Sequence, residues 1–89
     1  MVSIHFVVEG RVQMVGFRYF LKQKAEDLQI TGWTRNTKDE KVEGVIQGIV
    51  ENISRMQEYI KKGPTTADVL NYSFKEVDNK DFDGFVIRD

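Results

Sequence analysis

The sequence predicts an α+β sandwich, with two helices on one face of a mainly antiparallel sheet. Three observations lead there. Several short stretches alternate apolar with polar residues, the period of a half-buried strand. Two others repeat apolar residues every three or four positions, the signature of an amphipathic helix. The stretches follow in the order strand, helix, strand, strand, helix, strand, with a short extra strand at the end.

Ser3 to Glu9 puts Ile4, Phe6 and Val8 on one face and Ser3, His5 and Glu9 on the other. From Phe17 the period changes, and Phe17, Phe20, Leu21, Ala25 and Leu28 share one helical face. Thr31 to Asn36 is a second strand, with Trp33 between polar neighbours. The polar connection Lys38-Asp39-Glu40-Lys41 makes Val42 to Gln47 its hairpin partner. Ile49, Ile53, Met56 and Ile60 mark the second helix, which Gly63 and Pro64 end. Glycine suits a left-handed cap, and proline cannot continue a helix. Val69 to Val77 alternates again, with Leu70, Tyr72 and Phe74 on one face. After polar Asn79 to Asp83, Phe85-Val86-Ile87 forms a short last strand. Elements in this order build the split β-α-β, or ferredoxin-like, sandwich. The order does not fix where the last strand docks. No repeat, low-complexity segment or shift in composition divides residues 1–89, which read as one domain.

Composition removes several classes of function. With no cysteine there is no disulfide framework, thiolate metal site or cysteine nucleophile, and one histidine cannot build a histidine-rich metal site. The net charge of −1 gives no general attraction to nucleic acid or membranes. No apolar run is long enough to span a bilayer and no leader-like N-terminus stands out, which fits a cytoplasmic protein.

The chemistry concentrates in Gly10-Arg11-Val12-Gln13-Met14-Val15-Gly16-Phe17-Arg18. This segment leaves the first strand, turns on glycines and opens a helix with an arginine in its first turn. N–H groups at a helix start are unpaired, and the helix dipole favours an anion there. Arg18 adds a forked, permanently charged donor set that matches phosphate oxygens. A β-α-β crossover makes its two strands parallel, so Asn36 and Thr37, ending the second strand, lie at the same end of the sheet as this loop. The loop holds no Asp, Glu, His, Ser or Cys, which argues against covalent catalysis by a loop nucleophile. Anion binding remains, or hydrolysis in which water attacks while the protein positions and neutralises charge.

Gly10-x-Val12-Gln13-x-Val15-x-Phe17-Arg18 resembles the signature loop of acylphosphatases. Gly32-Trp33-x-x-Asn36 is similar to that family's second motif, and Val42-Glu43 with Gly48 fits the stretch that follows. Gly63-Pro64-x-x-Ala67-x-Val69 resembles its helix exit, and Phe85-x-Ile87-Arg88 its ending. The resemblance runs along the whole chain in register. It implies hydrolysis of a small-molecule acyl phosphate to a carboxylate and inorganic phosphate, without metal or cofactor. Arg18 and the N–H groups of the loop Gln13, Met14, Val15, Gly16, Phe17 and Arg18 would hold the phosphoryl group. Asn36 would orient the attacking water, and Thr37 would support that site. The substrate phosphate could itself take the water's proton.

Two departures stand out. The family usually has glycine where this chain has Met14, a position where glycine would permit φ > 0 or close approach of backbone to phosphate. If the backbone there is left-handed, Met14 costs roughly 1–2 kcal/mol. Glu40 stands where an Asp-Gly turn is common, and Asp39-Glu40 cannot cheaply form a two-residue type I′ turn, so a longer or looser hairpin is expected. Met14 therefore keeps a second reading open: a catalytically weakened anion-binding or protein-interaction module. An RNA-recognition module of the same topology needs stacking aromatics on a central strand, and Val42 to Gln47 has none. Trp33 reads as a core or sheet-face aromatic, His5 as a surface strand residue, and Arg11 as a solvated loop charge. Lys61-Lys62 suits a helix C-terminus. No edge interface is identifiable, so a monomer is expected, and nothing in the motifs reads out the acyl group.

Overall fold

The computed structural model describes residues 1–89. The elements follow the expected order: β1 (Val2–Arg11), α1 (Phe17–Asp27), β2 (Thr31–Asn36), β3 (Val42–Gly48), α2 (Val50–Lys62), β4 (Asp68–Val77) and β5 (Phe85–Arg88). They build a five-stranded sheet in the order β4-β1-β3-β2-β5. Every pairing is antiparallel except β2 with β5. β1 and β2 both run against β3, so they are parallel to each other and their C-terminal ends share one end of the sheet. This is the placement the crossover argument requires. No helix is long and apolar enough to cross a membrane.

The alternation of β1 buries Ile4, Phe6 and Val8 against Phe17, Leu21, Ile46, Met56 and Ile60. Burial of a side chain of this kind is worth roughly 1.5–3 kcal/mol, and the helix stripes and strand faces agree on where it occurs. α1 ends in a Schellman arrangement: Ile30 N–H donates to Ala25 O at 2.8 Å and Gln29 N–H to Glu26 O at 3.2 Å. Gln29, with φ 54°, occupies the left-handed position usually given to glycine. At the end of α2, Gly63 has φ 67°, and a Cβ there would stand 2.4 Å from Cε2 of Phe17. Glycine at this exit thus lets α2 close over the ring that opens α1.

One expectation about an apolar face needs correction. Ile49 does not belong to the buried stripe of α2. It is the extended N-cap residue, 53% exposed, and Ile53, Met56 and Ile60 carry the stripe. On β4, Leu70 and Tyr72 of the alternating apolar set are exposed. β4 is an outer strand, and a bulge at Glu9/Gly10 shifts its register there. Tyr72 lies at the margin of the helix layer, with Lys61 Nζ 5.5 Å from its ring centre. Of that set only Phe74, opposite Phe6, reaches the core, and it is half-buried.

The last strand docks in parallel on β2, pairing Gly32 with Phe85 and Thr34 with Ile87. It lies at the edge opposite β4, so residues 78–84 must cross the end of the sheet. Gln47 holds this crossing by accepting from Lys80 N–H at 2.9 Å and donating to Lys80 O at 2.8 Å. Because β5 is parallel to β2, Ile87 arrives beside Asn36, at the end of the sheet where β1 releases its loop.

Candidate active site

The loop between β1 and α1 is fixed from three sides. Val12 is buried beneath it. Gln13 Nε2 donates to Thr37 O at 2.8 Å and Lys41 O at 2.9 Å, binding the loop to the β2–β3 hairpin. Thr66 Oγ1 donates to Val15 O at 2.6 Å, binding it to the α2–β4 connection. Between these anchors the backbone is left-handed at Met14, φ 62°, and at Gly16, φ 78°. None of the N–H groups of residues 13–16 has a protein acceptor, and the ladder of α1 begins only with Phe20 N–H to Gly16 O. The result is an anion-ready row of donors at a helix start that no side chain caps.

Arg18 projects from the first turn of α1 beside this row. It is half-buried and forms no ion pair. Asn36 closes β2 opposite Val42. Its Oδ1 is buried and has no hydrogen-bond partner. A buried acceptor left so costs about 1–3 kcal/mol, which folding alone would not select. Arg18 and Asn36 line one crevice of about 140 Å³ together with Met14, Gly16 and Phe17. Val12, Tyr19 and Ile87 complete it.

Not every expected site residue enters this crevice. Gln13 and Val15 hold the loop from outside, through the bonds given above. Thr37 lines a neighbouring groove on the hairpin, where its hydroxyl accepts from Lys41 N–H at 3.0 Å and lies 2.5 Å from Asp39 Oδ1. That hydroxyl, then Lys41, holds the Asp39 carboxyl below its ordinary value. Glu9 and then Asp39 raise the Lys41 ammonium. The hairpin itself is a three-residue loop. Glu40 N–H donates to Thr37 O at 3.3 Å across a turn, and Glu40 follows at φ 66°. Asp39-Glu40 therefore makes no type I′ turn; the left-handed position falls on Glu40 alone, as in a type I turn with a bulge.

The remaining polar candidates stand elsewhere. His5 Nε2 lies 3.2 Å from Glu43 Oε1, on the sheet face away from the helices. Trp33 shares that face, with the Arg88 guanidinium 4.4 Å from its ring centre. Both line a concavity of about 590 Å³ that contains neither Arg18 nor Asn36. Arg11 is exposed at the end of β1. Sequence reasoning missed Tyr19 and Ile87 as crevice residues. Tyr19 directly follows Arg18 and could have been suspected, whereas Ile87 depends on how β5 docks.

Fold and crevice define a small α+β protein that offers an anion one arginine, a free carboxamide and a row of N–H groups. Comparison with known proteins agrees. The acylphosphatase family model matches residues 4–87. An acylphosphatase of Bordetella parapertussis is 37% identical over 86 residues, 92% of each chain. The crystal structure of the Bacillus subtilis acylphosphatase superposes with a TM-score of 0.95 at 31% identity, covering 99% of both chains. The Coxiella burnetii acylphosphatase structure does so with a TM-score of 0.93 at 38% identity, over 98% of this chain and 92% of that one. The chain belongs to the acylphosphatase family.

Proposed function

We propose that this protein hydrolyses the carboxyl–phosphate anhydride of small acyl phosphates at the Arg18–Asn36 crevice. The guanidinium of Arg18 and the N–H groups from Met14 to Arg18 bind the phosphoryl oxygens. Asn36 positions a water through its side-chain amide. The water oxygen attacks phosphorus, the bond from phosphorus to the acyl oxygen breaks, and the carboxylate leaves with its electron pair. The water's proton passes to a phosphoryl oxygen, giving inorganic phosphate. No carboxylate or histidine lines the crevice to act as a base, so positioning and charge stabilisation carry the rate. Gln13 and Thr37 act at one remove, through the hairpin that sets where Asn36 lies.

The observation that carries this reading is the shared crevice of an unpaired Arg18 and a buried, unpartnered Asn36 Oδ1. Hydrolysis of acetyl phosphate in buffer with chelator tests it. Arg18→Gln should lower kcat/KM by about 10²–10³, the usual loss for one preorganised charge-stabilising donor. A variant as fast as the parent would overturn the assignment.

The backbone at Met14 favours a second reading, a weakened member that mainly binds anions. Relieving the strain of a side chain at φ 62° by moving the backbone turns its N–H. A misplacement of about 1 Å can cost about 10² in rate. A gain of tenfold or more in Met14→Gly would favour that reading; a smaller change removes it.

A further inference from the structure

We infer that Met14 and Tyr19 form an apolar lip that selects acyl phosphates with aromatic or extended apolar acyl groups over small ones. The inference rests on the crevice being the phosphoryl site proposed above.

The crevice of about 140 Å³ is small. Pockets that enclose a whole small molecule run to about 300–1,000 Å³, and a water's share of liquid volume is about 30 Å³. The space beside Arg18 and Asn36 suits a phosphoryl group with its water, and the acyl part must emerge from it. What it meets is set by the lining. Val12 and Phe17 are buried and Ile87 is half-buried, so they form the floor. Met14 is 99% exposed and Tyr19 64% exposed, so these two form the rim. Arg18 is the only charged residue lining the crevice. An acyl group that leaves the phosphoryl site therefore meets a thioether and a phenol ring, and no ionic partner.

The lip also gives Met14 a purpose its backbone does not. Glycine would hold the same φ of 62° without strain, so the side chain is all that methionine adds. Nothing in the folded protein covers it. A flexible thioether adapts to varied apolar partners and contacts aromatic rings favourably, and a tyrosine ring supplies a flat stacking face.

The test measures kcat and KM for benzoyl phosphate and acetyl phosphate in the parent protein, Tyr19→Ser and Met14→Ala. Alanine retains the left-handed strain and removes only the reach of the side chain. The benzoyl-to-acetyl ratio of kcat/KM cancels what both substrates share at the phosphoryl group. That ratio should fall by about tenfold in each variant, chiefly through KM for benzoyl phosphate, the lower range for an apolar specificity contact. Inhibition by inorganic phosphate should keep its constant in Tyr19→Ser. Turnover of both substrates with an unchanged ratio in both variants would overturn the lip while leaving the site intact. If the parent turns over neither substrate, the site reading fails and the lip with it.

Discussion

Met14→Gly should make the protein more stable although it removes a side chain. Met14 has φ 62° and is 99% exposed. Its side chain therefore buries no surface on folding, and the substitution leaves no cavity. The left-handed conformation costs a residue with a Cβ about 1–2 kcal/mol. Glycine forfeits about 0.5–1 kcal/mol of that through its freer unfolded chain. The midpoint of the two leaves a net gain of about 0.8 kcal/mol. For a domain of this size that corresponds to a rise in Tm of about 3–6 °C, measured by circular dichroism or calorimetry. Gly16→Ala supplies the converse. Its φ is 78° and a Cβ there meets nothing within 4 Å, so only the backbone cost changes and Tm should fall by a similar amount. A Met14→Gly protein that melts at or below the parent temperature would refute the strain argument.

Other outcomes follow from the same geometry. Asn36→Ala should cut kcat/KM by about 10² or more yet hold or raise Tm, because it deletes a buried acceptor with no partner; a Tm loss above about 5 °C, about 1 kcal/mol, would mean the carboxamide is structural. Gln13→Ala removes the amide that ties the loop to the carbonyls of Thr37 and Lys41; each carbonyl keeps a second donor, Glu40 N–H and Thr37 N–H respectively, so the cost should be about 0.5–1.5 kcal/mol per bond lost. It should also lower kcat more than it raises KM; unchanged kcat would separate the hairpin from catalysis. The Thr37 hydroxyl and Lys41 hold the folded Asp39 carboxyl below the ordinary carboxylate value, so its contribution is present above that ordinary value and lost as pH falls through the lower, folded one. The stability gap between the parent and Asp39→Asn should therefore close as acid protonates the carboxyl, and a gap that does not narrow with falling pH would contradict the assignment.

Most of the fold was legible because one signal, the period of the apolar residues, determined each element. Ile4, Phe6 and Val8, the Phe17-Leu21-Ala25 stripe and the Ile53-Met56-Ile60 stripe all lie where periodicity puts them. Burial that depends on a neighbour was not legible. Leu70 and Tyr72 have a strand's alternation, but alternation does not say that β4 is an outer strand. Ile49 has the phase of α2 but stands at its extended cap, a distinction made by backbone angles. Arg18 and Asn36 line one crevice, as expected from the crossover rule, which brings the loop and the end of β2 together, and from the motifs that singled these two residues out. Thr37 shares that end of the sheet, yet its hydroxyl turns into the hairpin beside Asp39 and Lys41. Ile87 could not be placed without the docking of β5.

Met14 and Glu40, the two positions where the resemblance leads one to expect glycine, lie on loops that Gln13 ties together. Met14 and Glu40 are two of the three non-glycine residues with positive φ. They lie on separate loops, but Gln13 joins the loops: its amide bonds the carbonyls of Thr37 and Lys41, the two residues that flank the hairpin turn bearing Glu40. Strain of this kind persists only where the surroundings over-determine the conformation. The surroundings here are definite: buried Val12 under the loop, Thr66 on Val15, the Phe17 ring against Gly63, and the Glu9–Lys41–Asp39 ion pairs on the hairpin. Relaxing one loop should therefore shift the other through Gln13. Stability gains from Met14→Gly and Glu40→Gly should fall short of additive in the double variant by more than the 0.3–0.5 kcal/mol or so typical of independent sites. Strict additivity would show that Gln13 carries position between the loops and no strain.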